Sequence, residues 1–306
     1  MKNSILVSLI LLGICAACSN ERESASGQKF TVLKAGDGHK IDSGRFLIMN
    51  FVFKDSKDSV WNDTRKSGVP LIMQKQGIVR PGDKVLEVIG MLTKGDSVTF
   101  KVSAKEIFTK SFRQPVPPKV DSLSDFTFVI GLKDAMDSAT FAKFRTDLIA
   151  KQNEKAAKAQ GEQLAKDTVA IDNFLKEKNI KAMTTSSGLR YIITQAGHGD
   201  VVKDGQTASV NYAGYLLNGK YFDTSIESVA KAKNLYQEGR KYGPYDVQVG
   251  RGGVIRGWED ALKLMNKGSK MTVYIPSTLA YGNQRRSADI VENSILAFDL
   301  ELVDVK

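Results

Sequence analysis

The chain has 306 residues, of which 42% are hydrophobic, 25% charged and 8% aromatic, an ordinary globular composition that excludes intrinsic disorder, collagen and a polytopic membrane protein. At about 150 residues per domain, the length points to two domains with a core in each. Two cysteines and two histidines exclude a disulfide-rich scaffold and several metal sites, while 44 Lys plus Arg against 34 Asp plus Glu leave a charge of +10 whose location must be found.

Lys2 forms a short positive start, and Ile5 to Ile14 is apolar apart from Ser8 and Gly13. That run is too short to span a bilayer, which takes about 20 residues, but it fits the apolar part of a signal peptide. Small residues before a cysteine, Ala16-Ala17-Cys18, resemble a bacterial lipobox, with Cys15 where Leu is usual. The resemblance implies removal of residues 1–17, acylation of Cys18, and attachment to a membrane through the N-terminal lipid. No second cysteine would then remain for a disulfide. Residues 18–28 are polar with no apolar period and are expected to form a flexible tether.

From residue 29 onward the chain reads twice. Ala35-Gly36-Asp37-Gly38 aligns with Ala196-Gly197-His198-Gly199 at an offset of 161, which also pairs Gly44 with Gly205, Asn50 with Asn211, Phe51 with Tyr212 and Trp61 with Phe222. The offset becomes 173 at Lys94-Gly95 and Lys267-Gly268, pairing Phe108 with Tyr281, and ends at 170, pairing Phe128 with Phe298 and Leu132 with Leu302. Spacing kept over about 100 residues and shifted only at Gly- and Lys-rich stretches indicates a duplication. The copies occupy 29–135 and 186–306.

Between them, 136–185 reads as a helical linker. Asp137 to Ile180 is rich in Ala, Lys, Glu and Gln and free of proline, with Asp137 or Ser138 as the cap. Phe141, Phe144 and Leu148 form one apolar stripe; Leu164, Thr168, Ile171 and Leu175 form another, with a polar break holding Gly161 between them. Such stripes either pack within the chain or join two copies as a homodimer.

In the second copy, Thr207 to Tyr215, Lys270 to Ile275 and Ile295 to Val303 alternate or run apolar and read as strands. Gly257 to Asn266 places Trp258, Ala261, Leu262 and Met265 at helical spacing, with Gly268 as the stop. Several strands with one short helix give an α+β class. The charge lies mostly in the first copy, where 18 basic and 12 acidic residues leave +6, against 15 and 13 in the second. No Lys or Arg cluster interleaves with aromatics as a nucleic-acid groove requires, so no nucleic-acid partner is expected.

Five motifs now fall in order: Val210-Asn211-Tyr212-Ala213-Gly214, Gly219-Lys220-Tyr221-Phe222-Asp223-Thr224-Ser225, Val254-Ile255-Arg256-Gly257-Trp258-Glu259, Ile275-Pro276 to Ala280-Tyr281-Gly282, and Phe298-Asp299-Leu300-Glu301-Leu302. Together they resemble the FKBP-type peptidyl-prolyl isomerases, and Ser187-Gly188-Leu189-Arg190-Tyr191 after a helix looks like their exported bacterial members. The resemblance implies two FKBP-like domains, each an antiparallel sheet wrapped on a short helix. It implies a prolyl pocket with Trp258 as floor, and Tyr212, Phe222, Tyr245 and Phe298 as walls with Val254 and Ile255. Ile290 would join them from the rim loop. Asp223, held by Tyr212, would face the carbonyl carbon, while the Tyr281 hydroxyl and the Ile255 N–H would bind substrate carbonyls.

Such chemistry requires no covalent intermediate, cofactor or metal. An X–Pro bond turns over tens to hundreds of seconds because its amide must surrender resonance. A dry aromatic bowl and a few aimed hydrogen bonds favour the twisted amide. The substrates implied are proline-containing unfolded or exported polypeptides at the bacterial cell envelope; the rival reading is a non-catalytic chaperone that holds chains in the same clefts. Tyr245 stands where Phe is usual, Thr224 to Gly243 is longer than the common form, and the loop Asn283 to Ser294 has Asp289 and Val291-Glu292 in place of apolar and prolyl residues. The first copy departs further. Phe51 and Phe108 replace two tyrosines, Asn62 the aspartate and Val85 the tryptophan, which marks a degenerate domain with little or no catalysis.

Overall fold

The computed structural model describes residues 20–77 and 80–306. The signal sequence and Cys18 lie outside them. The chain divides into two compact units that part between Ile149 and Ala150.

In the first unit, β1 (Glu21–Glu23), β2 (Lys29–Lys34), β3 (Phe46–Lys54), β4 (Val60–Asp63), β5 (Leu71–Gln74), β6 (Ser97–Ser103) and β7 (Asp125–Met136) form one sheet in the order β1-β2-β6-β7-β3-β4, with β5 also on β3. Every pairing is antiparallel. The helix Lys84–Met91 begins where the Asp83 carboxylate accepts from the Leu86 N–H at 3.2 Å. It buries Val85, Leu86, Val88 and Ile89 among Phe100 of β6 and Phe126, Phe128 and Ile130, the inward residues of an alternating β7.

The second unit repeats this plan. Strands β8 (Met183–Thr184), β9 (Arg190–Gln195), β11 (Thr207–Leu216), β12 (Tyr221–Thr224), β13 (Tyr245–Gln248), β15 (Lys270–Ile275) and β16 (Leu296–Val305) run β12-β11-β16-β15-β9-β8, with β13 on β11. A separate ladder joins β10 (His198–Val201) to β14 (Asn266–Lys267). The register matches as well as the order. Phe51 opposes Ile130 and Tyr212 opposes Leu300; Phe100 opposes Phe128 and Val273 opposes Phe298. These are the offsets of 161, 170 and 173 met in the sequence, so the duplication holds at the level of paired residues. The class is α+β.

Two expectations are corrected. Residues 18–28 are not a free tether as far as they are described. Asn20 O accepts from the Val32 N–H, β1 pairs with β2, and the Glu87 carboxylate takes the Ser24 hydroxyl at 2.8 Å and the Ser26 N–H at 2.9 Å. The linker segment is one helix, Ser138–Glu177, which continues through the polar stretch at Gly161 because its Ala, Lys, Glu and Gln neighbours outweigh a glycine penalty of about 1 kcal/mol. The site helix Arg256–Leu262 ends before Gly268. The Leu264 and Met265 N–H groups that follow it close tight turns onto the Ala261 and Leu262 carbonyls, the chain leaves as β14, and Gly268 at φ 83° turns it into β15.

Asp137 caps the long helix through the Thr140 N–H at 2.8 Å, and Phe141 stacks on Phe46 with ring centroids 4.0 Å apart within the first unit. Its second stripe packs within the second unit, where Ile171 and Leu175 are buried with Tyr274 and Ala297. Asp172 forks onto Arg190 at 2.8 and 2.9 Å. Asp167, 3% exposed, accepts from the Ser277 N–H at 2.8 Å, its hydroxyl at 2.6 Å and Gln163 Nε2 at 2.7 Å. No helix among the described residues is long and apolar enough to cross a membrane.

Candidate active site

In the second unit β11 supplies Tyr212, β12 Phe222 and Asp223, β13 Tyr245, and β16 Phe298. The chain entering the site helix supplies Val254 and Ile255, the helix itself Trp258, and the turn after Ser277–Leu279 carries Tyr281. All nine line a single cavity of about 350 Å³, with Gly253 beside them. Ile290 is not in that lining, though it is buried in the same core cluster as Trp258 and Phe298. A larger cavity of about 460 Å³, between Gln160, Gln163 and Asn283, has neither an aromatic wall nor an ionisable group.

The walls are set edge to face. Tyr212 meets Trp258 at 5.1 Å and 74°, Trp258 meets Phe298 at 5.2 Å and 90°, and Phe298 meets Phe222 at 5.6 Å and 84°. Gly214 makes room for two of these rings, since a Cβ there would lie 2.6 Å from Phe298 and 2.7 Å from Phe222.

The polar side of the cavity is a three-residue network. Tyr212 OH donates to Asp223 Oδ2 at 2.7 Å, and Arg240 Nη1 donates to Oδ1 at 2.8 Å. Arg240 also donates to the Thr224 carbonyl at 3.0 Å, which fixes its guanidinium over the carboxylate. Burial, then the Asp223 hydrogen bond and charge, push the Tyr212 hydroxyl well above the ordinary tyrosine range, so it stays a donor. The bond to Asp223 likewise raises Arg240 and keeps it cationic. Among the described residues the Tyr281 hydroxyl and the Ile255 N–H donate to no protein acceptor, and the buried Trp258 indole N–H has no partner either.

Arg240 was not singled out by the sequence. It stands in the long stretch Thr224 to Gly243, and its only signal was a cation in an insertion next to the motif aspartate. Asp289, odd in an apolar rim, is explained by Lys220 at 2.5 Å, and Arg286 lies 5.5 Å over the Tyr281 ring.

This sheet, wrapped on one short helix with an aromatic cleft and a tethered carboxylate, belongs to a known class. The sequence profile of FKBP-type peptidyl-prolyl cis-trans isomerases matches residues 199–303, and the chain belongs to that family. A probable FKBP-type peptidyl-prolyl cis-trans isomerase of Haemophilus influenzae is 36% identical over 187 residues, 57% of this chain and 70% of the relative. FkpA of Escherichia coli is 37% identical over 175 residues, 57% of this chain and 58% of its own length. The outer membrane protein MIP of Legionella longbeachae is 33% identical over 189 residues, 58% and 73% respectively. The protein is therefore an enzyme of proline isomerisation.

Proposed function

We propose that the second unit isomerises X–Pro bonds in exported, incompletely folded polypeptides at the bacterial cell envelope, through the nine residues that line its cleft. The observation that carries this assignment is the division of labour in the cleft. Tyr212 is committed to Asp223, while the Tyr281 hydroxyl and Ile255 N–H remain free for a substrate.

A planar X–Pro amide opposes rotation by about 18–20 kcal/mol. The prolyl ring enters the aromatic bowl and sheds water. Ile255 N–H and Tyr281 OH hold peptide carbonyls, so that one side of the bond is fixed while the other turns. Twisting localises the nitrogen lone pair and changes the carbonyl dipole. The Asp223 carboxylate, oriented by Tyr212 and Arg240 before substrate arrives, favours that altered dipole over the planar one. No proton is transferred.

Tyr281→Phe tests this division, because it removes one oxygen and leaves the ring. Turnover of a prolyl tetrapeptide should fall about tenfold, a loss of ~1.4 kcal/mol at the transition state. An unchanged kcat/KM in a folded variant would remove Tyr281 from the mechanism.

The envelope location is supported by the relatives' names and by the signal-like start, and we place the anchor at Cys18. Stable attachment requires buried acyl methylenes, so Cys18→Ser should release the protein from membranes. Identical fractionation of that variant excludes the anchor. The homodimer rests on Phe144 and Leu148, which stay partly exposed on the long helix. Phe144→Glu should halve the mass seen by light scattering, whereas a monomeric parent excludes the dimer.

A further inference from the structure

The first unit keeps a cleft where the second keeps its active site. Its cavity measures about 410 Å³, within the ordinary range for a ligand site of roughly 300–1,000 Å³. Phe51, Trp61, Asn62, Val85 and Phe128 line it; by the shared strand register Phe51, Trp61, Asn62 and Phe128 stand where Tyr212, Phe222, Asp223 and Phe298 stand in the isomerase unit, and the sequence offset of 173 sets Val85 against Trp258. Each side-chain group that would hold a twisted amide is replaced, and the Gly82 N–H, at the place of the Ile255 N–H, is taken up by the Glu87 carboxylate at 2.8 Å. A space of the same order nonetheless persists, and it has not been filled by the core.

Two lips remain open to solvent, Trp61 at 45% and Phe112 at 41% exposure. Neither is slack. Trp61 Nε1 donates to Asp55 Oδ2 at 3.0 Å, while the other Asp55 oxygen accepts from the Lys57 and Ser59 N–H groups at 2.9 Å each. The indole is thus fixed as a wall before anything binds. Phe112 packs edge-on against Phe53 and Phe108 at 5.7 and 5.6 Å. An apolar cavity with rigid, solvent-exposed aromatic lips marks a binding site rather than leftover surface.

The polar groups at the mouth indicate what enters. The exposed side-chain amide of Asn62 makes no hydrogen bond among the described residues, and it offers a donor and an acceptor side by side, the complement of a peptide unit. Arg113, next to Phe112, has no carboxylate within salt-bridge distance among the described residues, and residues 29–135 carry +6. A neighbouring acidic residue on the guest is favoured there and a basic one is not.

We propose that this cleft is a second polypeptide-binding site, which holds a bulky apolar side chain of an extended, non-native chain beside an acidic residue and does not isomerise it. The guest needs no proline, so the proposal stands or falls independently of the isomerase reading. Its consequence is that one chain carries a holding cleft and a turning cleft of the same construction.

The chain contains two tryptophans, and each lines one cleft. Full-length protein labelled with 5-fluorotryptophan therefore gives one fluorine signal per site, assigned with Trp258→Phe. The probe is an acetylated, amidated pentapeptide with central Phe flanked by Glu and no proline. It should shift the Trp61 signal saturably. The same peptide with central Ser should not, and with Lys flanks should bind several-fold more weakly at low salt. Met73→Glu places a carboxylate in the lining and should weaken binding at least tenfold, with isomerase turnover unchanged. Asn62→Ala, at an exposed position, should weaken it several-fold and covers the case in which Met73→Glu does not fold. A Phe peptide that moves only Trp258, a Ser peptide that moves Trp61 equally, or full affinity in Asn62→Ala overturns the proposal. Loss of isomerase activity with the Trp61 shift intact would count against the isomerase assignment alone.

Discussion

Asp223→Ala separates the network's catalytic contribution from its structural one. The side chain is 39% exposed, and its partner Arg240 is 31% exposed. A solvent-screened pair of this kind contributes about 0.2–1 kcal/mol to stability, so the variant should unfold within about 1 kcal/mol of the parent. The rate effect should be larger. Removing one aimed polar group from a preorganised site costs about 2.7–4 kcal/mol when that group bonds directly to developing charge. In the proposed mechanism Asp223 acts on a dipole, without a proton or a full charge to stabilise, and Tyr281 and Ile255 remain. About 1.4 kcal/mol, a tenfold fall in kcat/KM on a prolyl tetrapeptide, is the expected size. Arg240→Ala should cost less, about threefold, because Tyr212 still holds Oδ2 at 2.7 Å. Turnover is read by line-shape or coupled assay and folding by denaturant midpoint. If Asp223→Ala keeps full kcat/KM, or Arg240→Ala is the more damaging, the carboxylate is not the source of the field and the site assignment is wrong.

Three further outcomes are expected. Hydrogen bonds, the one from Ser26 foremost, lower Glu87 from an ordinary 4.5 to about 2, so its stabilisation is complete above pH 4.5 and lost as pH falls towards 2; Glu87→Gln should flatten the acid dependence of the first unit's denaturant midpoint across that window. Asp167→Ala leaves the Ser277 N–H and hydroxyl buried without an acceptor and should destabilise the second unit by about 1–3 kcal/mol by urea titration, with partial recovery in Asp167→Asn. Gly214→Ala drives a methyl into the Phe298 and Phe222 rings and should cost about 1–3 kcal/mol together with much of the turnover; a neutral result would show that the rings yield freely.

Much of the site was legible because its residues sit on short, regular elements. Tyr212, Phe222 and Asp223 lie on paired strands whose period of two fixes which side chains share a face, and Trp258 follows from helical spacing. Arg240 was not legible, since its position over Asp223 depends on how the segment after β12 folds back to bond the Thr224 carbonyl. Ile290 was hard to place for a related reason: it sits in a rim loop, where no period tells a core-facing side chain from a cleft-facing one, and what holds it is local, its carbonyl accepting from the Arg286 and Ser287 N–H groups. The strand at Glu21–Glu23 has no apolar pattern at all; it forms because Glu87, 60-odd residues away, anchors Ser24 and Ser26.

Comparison of the two clefts shows which parts of this fold are structural and which are chemical. Thr64 Oγ1 accepts from the Phe51 N–H at 2.8 Å, and Ser225 Oγ accepts from the Tyr212 N–H at 2.9 Å, at the same register. That bond closes the sheet edge in both units, and each would lose stability without it. The hydroxyl–carboxylate–guanidinium network is different, because a polar group facing a desolvated cleft costs free energy unless it is partnered. The first unit has none of the three, and at Gly214's position it carries Phe53, stacked on Phe126 at 4.7 Å. Restoring two of them should therefore not restore catalysis. In Phe51→Tyr with Asn62→Asp, no Arg240 counterpart orients the new carboxylate, since the nearby Arg65 is held by Asp63 at 3.1 Å. Val85 still leaves the floor without an indole, and Phe108 still lacks the hydroxyl of Tyr281. The expected result is a folded protein whose turnover, measured in an Asp223→Ala background, does not rise. A rise of tenfold or more would show that a carboxylate and a phenol alone suffice, and that the floor and the guanidinium are dispensable.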